Sequence, residues 1–379
     1  MRLKLNTMLA LIALMAWVTA CAVVSDKPAE EAQQAYIEYI GHASFRFVAE
    51  DGAQIVTDPY NGRIWLGYEY PRGLDADAVL ITHPHFDHDA DYYFADNTPV
   101  YRDPKSFEVG PIKVRGVATE HGFADNIRSS GKLPTNTAWI IEMSGKRFVH
   151  FGDSRAVTPE ELAAIGPVDV IIGTPEQAQL EPLEANHYIA NHYRLPEVSE
   201  TGGQGMSEVD EMLAEAPGVT RLESNRLNIE DLEEAEQWIV FQPMPGLQAW
   251  PENRIQAREK LNQAGSAVRA EPSDFEAAER YLDEAIALDP GELSFYSTQA
   301  VIYDRLGKSD DEKIALLERG LANAEYPDWG QAYDMHSQLA ELYVGIKDTQ
   351  NARRHYEYII EQPQAYGVPA YEAAKAFLL

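Results

Sequence analysis

The chain contains one cysteine in 379 residues, Cys21. No internal disulfide can form, and beyond that residue no thiolate is available as nucleophile or metal ligand. Basic residues are also scarce: Lys+Arg number 31 against Asp+Glu 61, a formal net charge of -30. Such a field repels polyphosphate backbones, and no basic run interrupts it, so nucleic acid is excluded as a partner. Past the first two dozen residues there is no apolar run long enough to span a bilayer. The remaining composition, 45% hydrophobic and 24% charged, is that of a globular chain and excludes a disordered or fibrous protein. At about 100 to 200 residues per domain, the length implies two domains or three.

The N-terminus carries Met1-Arg2-Leu3-Lys4 and then an apolar run from Met8 to Val18, the layout of an export signal. Val18-Thr19-Ala20-Cys21 resembles the lipobox of bacterial lipoproteins. The resemblance implies that residues 1–20 are removed as a signal peptide and that Cys21 is acylated. Ala22, where Asp would retain the protein in the inner membrane, implies the outer membrane facing the periplasm. The expected location is thus the bacterial cell envelope, held by lipid alone, with 21–35, small and polar, as tether.

From Tyr36 the pattern is one of short strands. Tyr36 to Ile40, Ser44 to Val48 and Gln54 to Thr57 are β-branched or aromatic runs, the last two joined across Asp51-Gly52, a hairpin signal. Further strands are predicted over Ala78 to Thr82, Ile112 to Ala118, Thr137 to Glu142, Arg147 to Phe151 and Val168 to Ile172, with a short one in Asn186 to Tyr193. Helices are predicted over Thr158 to Ile165, where Thr158 caps and Pro159 opens the first turn, and over Pro175 to Ala185. This is an α/β pattern, assigned to 36–200. Residues 201–262 hold two turn signals, Gly202 to Gly205 and Pro243 to Gly246, with a helical pattern between them, and read as a connecting region without assignable chemistry. From Gln256 onward, Ala, Leu and Tyr recur at helical spacing, and residues 263–379 are assigned to helical repeats. Ala277 to Pro290 resembles the second helix and exit turn of a tetratricopeptide repeat. Two further helix-turn-helix units pivot on Leu306-Gly307 and Val344-Gly345. An all-α repeat domain is implied, whose stacked helices offer a surface to a protein partner.

The chemistry gathers in Thr82-His83-Pro84-His85-Phe86-Asp87-His88. Imidazoles and a carboxylate crowded directly behind the apolar run Ala78 to Ile81 suit a metal better than a packed core, and they are the ligand types zinc accepts without thiolate. The residues resemble the HxHxDH motif of the metallo-β-lactamase fold hydrolases. That resemblance implies an αββα sandwich, two divalent ions (zinc, with manganese as the alternative) and further ligands in chain order: His121, then Asp153 beyond the hairpin through Ser144-Gly145-Lys146, then a histidine within Asn186 to Tyr193. Carried over, His83, His85 and His121 hold one ion, Asp87, His88 and His192 the other, and Asp153 bridges them. His187 and His192 lie five apart and cannot both face one metal from a strand. His192, at the end of the run, is the expected ligand.

Ile40 to Phe45, Thr57 to Tyr60 and Pro134 to Trp139 resemble the branch that holds the ascorbate-6-phosphate lactonases and the N-acyl-phosphatidylethanolamine phospholipase D type. His42 and Asp58 are then expected to orient ligands from behind. The reaction implied is hydrolysis of an ester, lactone, amide or phosphodiester in a small-molecule or lipid-like substrate, by a hydroxide shared between the ions. Asp87 and Asp153 are the expected catalytic carboxylates, and Arg155 and Arg194 are candidate anion contacts. A reading of another class makes the chain an envelope assembly protein whose repeats bind a partner and whose hydrolase fold is a scaffold; the full ligand set argues against it. A flavodiiron redox enzyme would need a flavin fingerprint, and none is present.

Overall fold

The structure is a computed structural model that describes residues 34–122, 135–174, 183–324, 329–362 and 369–379. The expected signal, Cys21 and most of the tether lie outside the described residues. Residues 34–379 form one compact unit. Among the described residues no helix is long and apolar enough to cross a membrane.

The first half is a sandwich of two sheets. In chain order the strands are β1 (Tyr36–Gly41), β2 (Ser44–Val48), β3 (Gln54–Thr57), β4 (Ala78–Leu80), β5 (Val100–Tyr101), β6 (Ser106–Val109), β7 (Ile112–Thr119), β8 (Asn136–Met143), β9 (Lys146–His150), β10 (Val170–Gly173), β11 (His187–Ala190), β12 (Val219–Arg221), β13 (Arg226–Asn228) and β14 (Trp238–Val240). One sheet runs β13-β1-β2-β3-β4-β5, the other β12-β14-β11-β10-β9-β8-β7-β6. Side-chain alternation with period two distributes the apolar residues of the second sheet. Trp139, Ile141, Phe148, Val170, Ile172 and Ile189 point into the core shared with Phe45, Phe47 and Val79 of the first sheet. Their neighbours Ala138, Ile140, Val149, Ile171 and Tyr188 point outward and are covered with α1 (Pro159–Ile165). Thr158 caps α1 in a reciprocal capping box with Glu161, and Pro159 occupies its first turn, as the sequence pattern requires. The helix expected over Pro175 to Ala185 falls largely on 175–182, outside the described residues.

Residues 201–262 differ from a mere connection, and the helical pattern expected between their two turns is interrupted by three strands. After a single helical turn, α2 (Val209–Met212), they supply β13, which pairs with β1 at the edge of the first sheet, and β12 and β14, which extend the second. Each of these strands has three residues. That is too short for alternation to register, and pairing with an existing edge, not propensity, makes them strands.

The second half is helical: α3 (Glu252–Arg269), α4 (Phe275–Leu288), α5 (Leu293–Leu306), α6 (Asp310–Asn323), α7 (Trp329–Gly345), α8 (Thr349–Glu361) and α9 (Pro369–Leu378). Each helix packs on the next. α5 ends on Gly307 in the left-handed conformation, φ 67°, where glycine has no Cβ to clash. The first helix starts at Glu252, ahead of the helical spacing read from Gln256 and of the repeat boundary at 263, because its charged first turn hides the apolar stripe of Ala257 and Ala264.

Candidate metal centre

Every predicted ligand lies where a strand gives way to a loop. His83 to His88 follow β4, His121 follows β7, Asp153 follows β9 and His192 follows β11, while His42 sits in the β1–β2 turn and Asp58 just past β3. Five non-glycine residues have positive φ among the described residues, and three of them are His42 (52°), Asp58 (41°) and His192 (55°). A backbone in that region is strained for these side chains and persists only where the surroundings over-determine it. The strain marks the site.

Among the described residues, three groups have their donor atoms within 4.8 Å of one another: His83, His85 and His121; His42, Asp87, His88 and His192; and His83, His88 and Asp153. Asp153 is central. Its Oδ2 is 3.7 Å from His121 Nε2, 4.0 Å from His83 Nε2 and 3.5 Å from His192 Nε2, and its Oδ1 is 3.6 Å from His88 Nε2. Asp87 Oδ2 lies 3.5 Å from His192 Nε2 and 3.7 Å from His88 Nε2. His187, at the start of β11, is at the opposite end of the strand and donates Nδ1–H to Glu236 O at 3.1 Å.

The hydrogen bonds behind these atoms set their tautomers. Asp58 accepts from the Thr82 amide (2.7 Å), the Thr82 hydroxyl (2.6 Å) and His88 Nδ1–H (2.8 Å). His88 therefore turns Nε2 toward Asp87 and Asp153, and that buried nitrogen has no hydrogen-bond partner. Because the Thr82 proton is committed to Asp58, His83 Nδ1–H must donate to Thr82 Oγ1 (3.0 Å), which leaves His83 Nε2 unprotonated and facing the centre. His42 Nε2–H donates to Asp87 Oδ2 at 3.0 Å. Thus Asp58 and His42 touch the ligands and aim them, the outer-shell arrangement of metal-binding histidines and carboxylates. An orphaned imidazole nitrogen between two carboxylates fits a divalent cation.

The electrostatics agree. Burial pushes His83 well below its usual range and His42 to about 4, the latter helped by His192. Burial opposes charge on His88 too, yet Asp153, Asp87 and Asp58 together carry it up to about 10, so at neutral pH a cation binding at Nε2 displaces a proton. Burial would raise Asp87 and Asp153, but the surrounding imidazoles hold both carboxyls well below the ordinary carboxylate range. The pocket stabilises negative oxygen and asks for positive charge at its middle.

Three residues that sequence reasoning passed over hold this frame. Buried His150 donates Nε2–H to Ala43 O (2.9 Å) and accepts the Gly152 amide at Nδ1 (3.1 Å), tying the His42 turn to the Asp153 turn. Asn136 donates to Phe151 O (3.0 Å) and Thr119 Oγ1 (2.8 Å). Gly152, φ 54°, lies so close to Thr82 that a Cβ there would come 2.2 Å from Thr82 Oγ1. An imidazole inside the apolar run Phe148 to Phe151 was the available signal for His150. The two arginines expected to contact anions are engaged elsewhere: Arg155 with Glu120 and Glu161, Arg194 with Glu208 and the carbonyls of Glu200 and Gly202.

Residues 36–182 match the family model of the β-lactamase superfamily domain. A UPF0173 metal-dependent hydrolase of Thermococcus onnurineus is 27% identical over 190 residues, covering 41% of this chain and 84% of the relative. Another, from Rubrobacter xylanophilus, is 32% identical over 118 residues, 30% of this chain and 45% of the relative. A Thermotoga maritima structure named as a Zn-dependent hydrolase of the metallo-β-lactamase superfamily aligns at 25% identity and a TM-score of 0.43, covering 55% of this chain and all of that one. The sandwich of this chain, with its histidine and aspartate cluster at the strand ends, has the metallo-β-lactamase fold and is similar to the domains of metal-dependent hydrolases.

Proposed function

We propose that the centre holds two divalent ions, one on His83, His85 and His121 and one on Asp87, His88 and His192, with Asp153 between them, and that it hydrolyses an ester, lactone, amide or phosphodiester bond. The observation that carries the reading is the position of Asp153, whose Oδ2 faces imidazole nitrogens of both sets while its Oδ1 faces His88. When bound, such ions supply water activation near neutral pH and Lewis acidity at the scissile carbonyl or phosphoryl. The chain's own part is to hold unprotonated nitrogens and ionised carboxylates in register: Thr82 and Asp58 orient His83 and His88, and His42 orients Asp87. Zinc suits the donor set, manganese less so. The motifs around His42 and Asp58 favour the lactonase and phospholipase D-like branch, with a small-molecule or lipid-like substrate. Elemental analysis of the purified chain after zinc supplementation should find about two ions per chain, and a panel of lactones, acyl esters and phosphodiesters should identify the scissile bond. Absence of metal would refute the assignment.

The same reading places the enzyme at the cell envelope, anchored through acylated Cys21, with the helical repeats available to a protein partner. Support for the anchor is the sequence around Cys21. Replacement Cys21→Ala should release the chain from the membrane fraction; its retention there with the signal removed would overturn the anchor.

A further inference from the structure

A strap of residues, 61–70, leaves the ligand loop and passes beside the centre. It begins with the Asn61 amide donating to Phe86 O at 2.7 Å. Trp65 then lies edge-on to His42, ring centroids 6.4 Å apart and planes at 78°, and its indole is only partly buried. Loop 199–206 holds it from one side. Trp65 Nε1–H donates to Gln204 O at 3.0 Å, and the Gly203 amide donates to Trp65 O at 3.0 Å. The approach is so close that a Cβ on Gly202 would lie 1.8 Å from Leu66 O.

The other side of the strap is held by the segment that opens the helical region. The Trp250 amide donates to Gly67 O (2.8 Å) and its indole to Gly62 O. Arg63 pairs with Asp289 at 2.7 Å, at the C-terminal end of α4. Asp289 also accepts from Arg254 Nε of α3 at 2.9 Å, and Arg254 reaches back to Glu69 on the strap. Both ends of the strap are thus tied into one chain of alternating charge, Arg63, Asp289, Arg254, Glu69. Arg63, Asp289 and Arg254 are each 6% exposed or less. Apolar side chains would join two modules without the desolvation cost of burying charge, and what a buried ionic network adds is geometric specificity.

We propose that Trp65 is the wall against which the substrate's apolar portion packs beside the scissile bond, and that Arg63, through its buried pair with Asp289, is the positioning residue by which the helical region holds that wall. The word substrate rests on the hydrolase reading; the holding of the strap does not.

The test uses the full-length, zinc-loaded chain in detergent, with p-nitrophenyl butyrate and bis-p-nitrophenyl phosphate as probes. For Arg63→Met we expect hydrogen exchange over 61–70 to rise about tenfold or more, zinc content to stay constant, and KM to rise about tenfold with kcat changed less than about twofold. Arg63→Lys, which keeps the charge but not the planar fork, should fall between the two and serves if Arg63→Met does not fold. Trp65→Ala should raise KM alike without altering exchange around Asp289. Unchanged exchange over 61–70 in both Arg63 variants would overturn the positioning role, and unchanged KM in Trp65→Ala would overturn the wall. If the wild-type chain turns over neither probe, the hydrolase reading suffers, and the exchange measurement still decides the strap.

Discussion

At the scale of single residues, the centre depends on groups that never face a metal. Asp58 collects three donors and passes order to His88 and, through Thr82, to His83. Asp58→Asn keeps the shape and removes the charge that fixes the His88 tautomer. It is expected to weaken zinc binding by about 10- to 100-fold, measured by competition with a chelator. Gly152→Ala should do similar damage by a different route, since its Cβ must displace the Thr82 hydroxyl and its φ of 54° disfavours any side chain. A zinc affinity unchanged by Gly152→Ala would show that the Thr82 contact is dispensable. His192→Ala and His187→Ala form a paired test: the first should lose one ion and nearly all hydrolysis, the second neither, because His187 sits at the far end of β11 with its proton on Glu236 O.

At the scale of elements, the helices carry a titratable seam of their own. His336 of α7 and His355 of α8 face each other Nδ1 to Nδ1 at 2.9 Å, an arrangement that needs one protonated and one bare nitrogen. His355 is stacked on Tyr343 and His336 on Tyr358, and Glu318 and Arg354 close the cluster around His355 Nε2. Burial, reinforced by His355 and Arg354, pushes His336 down to about 3; burial also lowers His355. Because the folded-state values lie below the unfolded value near 6.5, the unfolded chain binds more protons under that pH. The stability contributed is full above about pH 6.5 and is lost as pH falls below it, with a slope of at most about 1.4 kcal/mol per pH unit for each histidine. His336→Gln should flatten denaturant-midpoint profiles between about pH 6.5 and 5; an unaltered profile would mean the seam opens without cost.

At the scale of the molecule, sandwich and helices share the charges of Arg63, Asp289, Arg254 and Glu69. Asp289→Asn leaves two buried guanidinium groups short of their carboxylate and should cost about 3 to 5 kcal/mol. The shared network makes one calorimetric transition for residues 34–379 the expectation. Two separated transitions would show that the halves fold independently.

What the sequence determines by itself is local. The ligand run His83 to His88 stands in six consecutive residues, the turn chemistry of Asp51-Gly52 and Thr158-Pro159 is written in adjacent side chains, and helix periodicity from α4 onward repeats over whole turns. Composition alone also removed thiolate ligands. The tertiary structure decides whatever depends on residues far apart in the chain meeting across a strand end. It brings Asp58 under His88, places His150 between the His42 and Asp153 turns, and makes β12 to β14 strands by offering them a sheet edge. It also commits Arg155 to Glu120 and Glu161 and Arg194 to Glu208, which their mere nearness to Asp153 and His192 in sequence could not reveal. The physical reason is the same in each case. A hydrogen bond or ion pair is specified by angle and distance to within a few tenths of an ångström, and sequence spacing carries that information only within one turn or one strand.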